Sequence, residues 1–176
     1  MRLFPVLRLA ALSIAAAPAG CVAPPAAPPP PPPTRVLPPA PAPAPLARDW
    51  RDWPVTPGTW RYEQDARGAR ALFGLPNGEA RLVLRCDLPA RRMFVSRAGT
   101  VATPLTVRTT SVTRAVTVRP TGGASPYVAV ELPVRDPLLD AMAFSRGRFV
   151  MEQAGVPPLV VPSWAEIGRV IEDCRG

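Results

Sequence analysis

The chain has 176 residues, 27 of them proline, and 21 basic side chains against 13 acids give it a net charge of +8. Every basic residue is arginine, and histidine is absent. That excludes Ser-His-Asp and Cys-His nucleophile pairs, histidine metal sites, Schiff-base lysines and the P-loop lysine, and the three cysteines fall short of the four thiolates an all-cysteine zinc site takes.

Proline divides the chain. Pro5 and Pro18 precede Cys21, and thirteen more lie between Val22 and Ala47. The reading is a leader over 1–20, a cysteine and Pro/Ala-rich tether over 21–47, and one globular domain over 48–176. A domain of that size buries about two-thirds of its unfolded surface. It keeps 18 arginines against 13 acids, a net of +5. No basic run exceeds Arg91-Arg92 and no aromatic-interleaved stripe is present, so nucleic acid is not an expected partner.

In the leader, Arg2 and Arg8 form a positive n-region and Leu9–Ala17 a short apolar stretch. That stretch is too short for a permanent span, which needs about 20 apolar residues, and fits an export signal. Ala19-Gly20-Cys21 resembles the lipobox of bacterial lipoproteins. The resemblance implies a diacylated Cys21 as the mature N-terminus. Pro18 departs from the aliphatic residue usual in that family, and cleavage after Ala17-Pro18-Ala19 is the rival, giving a soluble periplasmic product. Val22 is not the aspartate that retains lipoproteins at the inner membrane, which implies the outer membrane, periplasmic side.

The tether contains Pro28–Pro33 unbroken and a Pro/Ala alternation to Pro45. Proline lacks the N–H and fixes φ, so neither helix nor sheet ladder fits. Polyproline II geometry would extend 26 residues to roughly 80 Å. The segment reads as a stiff spacer, with a docking motif for a polyproline-binding partner as the alternative.

In the domain, Trp50, Trp53 and Trp60 are read as a strap packed on the core, the alternative being an exposed platform for glycan stacking. Strands are expected at Trp60–Gln64, Ala69–Phe73, Ala80–Cys86, Arg92–Arg97, Leu105–Thr109, Ala115–Arg119 and Tyr127–Leu132, with Pro76-Asn77-Gly78 a hairpin turn. Alternation places Leu82, Leu84 and Cys86 inward and Arg81, Val83 and Arg85 outward. Asp136 caps a short helix with Pro137 at its first position. Phe149–Gln153 and Leu159–Val161 pair next. Ser163-Trp164-Ala165-Glu166 reads as a capping box opening a last helix to about Arg175. Trp164, Ile167, Val170, Ile171 and Cys174 share its apolar face. The fold class is mainly β (α+β): an antiparallel sheet, sandwich or partly open barrel with a short helix and a C-terminal helix.

Two inward cysteines of an exported protein are expected to be oxidised. With Cys21 assigned to lipid, Cys86 and Cys174 form a disulfide pinning the last helix to the third strand. No C-x-x-C and no histidine are present to make a reactive thiolate.

Carboxylates remain the available catalytic groups: Glu63, Asp65, Glu79, Asp87, Glu131, Asp136, Asp140, Glu152, Glu166, Glu172 and Asp173. Most have turn, capping or surface duties, so a carboxylate-dependent hydrolase is the weakest reading. No Ca²⁺-loop spacing occurs, and no metal or cofactor is expected. Phe144-Ser145-Arg146-Gly147-Arg148-Phe149 is the most distinctive short element. Arg146 and Arg148 either clamp a carboxylate or phosphate, or are solvated and pair with Asp136 or Asp140. Arg81, Arg85 and Arg92 give a second basic face. Asp136–Phe149 and Pro162–Arg175 resemble small uncharacterised exported proteins of alphaproteobacteria, sphingomonad-like ones in particular. That resemblance carries no activity. The expectation is a periplasm-facing outer-membrane lipoprotein that binds or scaffolds in the envelope and is not an enzyme. Its partners are the membrane through its lipid, and peptidoglycan or another envelope protein; the alternative is an anion- or glycan-binding module.

Overall fold

The structure is a computed structural model that describes residues 45–176. Cys21, the leader and nearly all of the tether lie outside the described residues. In the domain, the sequence alternation becomes two antiparallel sheets and two helices. Strands β1 (Thr59–Asp65), β2 (Gly68–Gly74), β3 (Ala80–Asp87) and β4 (Arg92–Ala98) form a meander. A second run holds β5 (Leu105–Arg108), β6 (Thr113–Val116), β7 (Arg119–Pro120) and β8 (Tyr127–Pro133). Helix α1 (Pro137–Ala143), β9 (Arg148–Gln153), β10 (Val156–Pro162) and α2 (Ala165–Arg175) complete the chain. The sheets run β1-β2-β3-β4-β8-β7 and β10-β9-β5-β6, so the domain is mainly β without a closed barrel.

Period-2 patterning decides the faces. Leu82, Leu84 and Cys86 are fully buried, while Arg81 between the strands' turns is exposed and Val83 and Arg85 are half-buried. Register brings Leu84 between Ala71 of β2 and Val95 of β4, all three inward. One core holds these residues together with Leu105, Val107, Phe149 and Met151 of the smaller sheet, Leu138 and Met142 of α1, and Ile167, Val170 and Ile171 of α2. Helix α2 lies against β1–β4, mainly over β2 and β3. There Cys86 and Cys174 stand at disulfide distance, Sγ–Sγ 2.10 Å and Cα–Cα 5.4 Å.

Arg97 is the exception on the inner face. It is 6% exposed on β4, and its guanidinium donates to the carbonyls of Met151 at 3.4 Å and Pro157 at 2.5 Å. It therefore ties the large sheet to β9 and β10 of the small one. Burial pushes its pKa down from the ordinary arginine value, a group that stays protonated even so.

Three expectations need correction. The predicted strand Ala115–Arg119 is two strands: Thr113–Val116 pairs with β5, and Arg119–Pro120 pairs with β8. Val116 and Val118 are both buried, so the alternation continues through the corner where the chain changes sheets. The capping box does not form. Ser163 N–H donates to the Gly147 carbonyl at 3.2 Å, which commits Ser163 to the end of β10, and α2 starts after Trp164 with no side-chain cap. Trp164 also leaves the apolar face and is 48% exposed.

The Cys86–Cys174 link spans 88 residues, and loop-closure entropy gives such a crosslink at most about 4–5 kcal/mol. Non-reducing peptide mapping of the purified chain should recover the two cysteines in one crosslinked species. The double replacement C86A/C174A should lower the urea midpoint; an unchanged midpoint would show that the crosslink contributes nothing to stability.

Candidate functional site

The bend after α1 is built by two hydroxyls. Helix α1 ends at Phe144, whose N–H donates to the Asp140 carbonyl at 2.9 Å. Ser145 is 5% exposed. Its hydroxyl donates to the Arg148 carbonyl at 2.5 Å and accepts from the Thr110 N–H at 3.1 Å. The Arg146 N–H donates to the Thr110 hydroxyl at 3.2 Å. Between the arginines, Gly147 has φ +77° with open space where a Cβ would stand. The glycine is there for its backbone conformation and not for room.

Together these groups hold the Arg-Gly-Arg bend against the β5–β6 turn, over a concavity of about 690 Å³. Arg146, Arg148 and Arg51 reach it from two segments, and Thr110, Ser111 and Phe144 complete its lining. Phe144 is 77% exposed. Arg148 is fixed by donation to the Trp53 carbonyl at 2.5 Å, and Arg51 lies over the Trp50 ring and pairs with Asp49 at 3.3 Å. Arg146 makes no ion pair among the described residues. The acids expected beside the bend are taken elsewhere: Asp136 pairs with Arg114 and Asp140 with Arg175. The arrangement presents guanidinium and hydroxyl groups to one space beside an exposed aromatic ring, a donor set that suits phosphate or carboxylate.

The tryptophans form the strap. Trp50 is 8% exposed and packs on Val150 and Val160, the outer side of the small sheet, with Trp53 beside them. Trp60 is in the main core and donates its indole N–H to the Pro162 carbonyl at 2.8 Å. Trp50 and Trp60 are therefore unable to serve as a glycan platform.

Register neutralises Arg85 and Arg92 of the second basic face, while Arg81 is exposed and makes no ion pair among the described residues. Arg85 pairs with Asp65, Arg92 with Glu131, Arg70 with Glu63, and Arg67 with Asp87. A concavity of about 780 Å³ lies on this outer face, floored by Val83 and Phe94 and flanked by Arg67, Arg85 and Arg119, two of which are thus already paired. Of the remaining acids, Glu152 pairs with Arg108, Glu79 accepts from the Ser125 hydroxyl, and Asp173 accepts from the Tyr62 hydroxyl. No group of three Cys, Asp or Glu side chains among the described residues has metal-binding geometry.

Sequence reasoning named Arg146 and Arg148 but missed Arg51, Thr110 and Ser111, which lie far from them in the chain and carry no motif. No protein-family model, curated protein or solved structure matches this chain.

The outer-face pairs set the acid response. Hydrogen bonds from Arg85 and from the Arg67 N–H hold the Asp65 carboxyl below its ordinary 3.8. Those from Arg67 and the Ala90 N–H do the same for Asp87. A carboxyl with a lowered folded pKa contributes stability above its unfolded pKa and loses it as pH falls through the folded value. Urea midpoints should hold steady from neutral pH to about pH 5 and fall below about pH 4. Asp65→Asn should flatten that fall, and an equally steep fall in the variant would remove Asp65 from the account.

Proposed function

We propose that this chain is a lipid-anchored protein of the outer membrane, facing the periplasm, whose β domain binds an anionic envelope component and performs no catalysis. Cys21 is the anchor, and the Pro/Ala tract is the spacer that carries the domain away from the bilayer. A triacylated cysteine exceeds the single chain that gives only marginal attachment. The binding reading rests on one observation: Arg146 projects from a bend braced by Ser145 and Thr110, beside Arg148 and Arg51, without a carboxylate to neutralise it. An arginine cluster at a rigid bend suits an anion because its donors are ordered before the ligand arrives. The concavity also falls within the 300–1,000 Å³ range usual for ligand pockets.

Phosphate on a lipid head group and carboxylate on peptidoglycan share this chemistry. A carboxylate hydrolase finds less support, because it needs two convergent acids while Asp65, Asp87, Glu131 and Asp140 each terminate on an arginine.

Retention of the purified chain on peptidoglycan sacculi and on vesicles containing anionic phospholipid should distinguish the two sources. Arg146→Ala should cut retention on the true ligand by roughly tenfold or more, as for loss of a charge-assisted hydrogen bond. Equal retention of wild type and variant on both supports, or none on either, would refute the site. Separately, intact mass of membrane-extracted protein should equal residues 21–176 plus lipid, and a soluble product beginning at Gly20 would refute the anchor.

A further inference from the structure

The four sheet edges of the domain differ in how they are closed. Strand β10 is interrupted by Pro157, Pro158 and Pro162, and Thr56 satisfies both the N–H and the carbonyl of Val160 on its outer side. Strand β7 has two residues, one of them Pro120. Strand β6 has four residues. Strand β1 has seven residues, Thr59–Asp65, and no proline. It is paired on one side only, with β2. Among the described residues no other hydrogen bond reaches its backbone. A long edge without proline or cover is a template for another strand.

The sequence of this edge is complementary to itself. Arg61 and Glu63 flank Tyr62 and point to the outer face of the sheet, the face of Arg70, which pairs with Glu63. Tyr62 points the other way, its hydroxyl bonded to Asp173 at 2.5 Å and its ring under the Arg169 guanidinium at 3.8 Å. We propose that β1 pairs antiparallel with β1 of a second copy of this chain, about a twofold axis through Tyr62. That register sets Arg61 opposite Glu63 of the partner subunit, and the reverse, on the open outer face.

Two symmetric ion pairs form, each joining the existing Arg70–Glu63 pair. An isologous interface of this kind is the commonest way two copies close. On the inner face the Arg169 guanidinium over the Tyr62 ring lies near the axis, and the bulk of the helix stands farther back. Helix α2 lies mainly over β2 and β3, so with strands about 4.8 Å apart the two α2 axes would stand roughly 19 Å from each other.

Sedimentation of the full chain in detergent, over a range of concentrations, tests the pairing. The wild type should form a dimer. Arg61→Glu and Glu63→Arg, each placing like charges across the axis twice, should each weaken it by roughly tenfold. The double swap R61E/E63R should restore the dimer, although it also removes the Arg61 hydrogen bond to the Leu75 carbonyl and the Glu63–Arg70 pair within each subunit. Near-wild-type far-ultraviolet circular dichroism for all three variants checks that they fold. A chain that stays monomeric throughout its soluble range overturns the proposal, including the case in which this edge takes a strand of another protein. So does a dimer that neither single reversal weakens, or one that the double swap fails to restore.

Discussion

The inner face of the six-stranded sheet is wider than anything that covers it singly. Six strands about 4.8 Å apart span more than twice the width of one helix. The chain solves this with two covers. Helix α2 lies over the β1–β4 half, and the smaller sheet shares the same core from the other side. Each cover has its own fastening. Cys86–Cys174 holds the helix, and Arg97 holds the smaller sheet through the carbonyls of Met151 and Pro157. The first closes a long loop and acts on the unfolded state. The second is a pair of charge-assisted hydrogen bonds across the core, made by a buried guanidinium to backbone carbonyls of the other sheet.

Arginine does several different jobs in a domain with no lysine or histidine. On the outer face of the large sheet Arg67, Arg70, Arg85 and Arg92 each meet a carboxylate, and such surface pairs are individually weak. At Arg97 it is buried and bonded to carbonyls. At the Gly147 bend it is braced by hydroxyls and left without an acid partner. Composition treats these arginines alike, and only their neighbours separate them. That separation is why the proposed binding role is placed at the bend, where a guanidinium without an ion pair among the described residues shares one space with hydroxyl groups.

The alternation around Leu82, Leu84 and Cys86 made the inward face legible, and Pro76-Asn77-Gly78 located a hairpin. The apolar spacing of Ile167, Val170, Ile171 and Cys174 did the same for the last helix. These two faces, with Cys21 set aside for the lipid, leave Cys86 and Cys174 as the pair that the structure holds at disulfide distance. Arg97 was also within reach, since it continues the inward series Met93, Val95. The corner at Thr117-Val118 was not, because alternating valines look the same whether or not the strand changes sheets. The missing cap at Ser163 was equally hidden. Its N–H is claimed by Gly147, sixteen residues away, and local spacing carries no sign of that competition.

What the amino-acid sequence determined by itself was what depends on near neighbours: strand and helix periods, turns, the faces of the two cysteines, the proline tract and the catalytic chemistries that lack their side chains. The tertiary structure decided the pairings between distant charges. Arg114 reaches Asp136 and Arg175 reaches Asp140, which leaves Arg146 with neither. Long side chains find partners according to how strands and helices are stacked, and stacking is settled by burial of the whole apolar surface at once. Formal charge is a property of the sequence, whereas the place where charge remains unneutralised is a property of the fold.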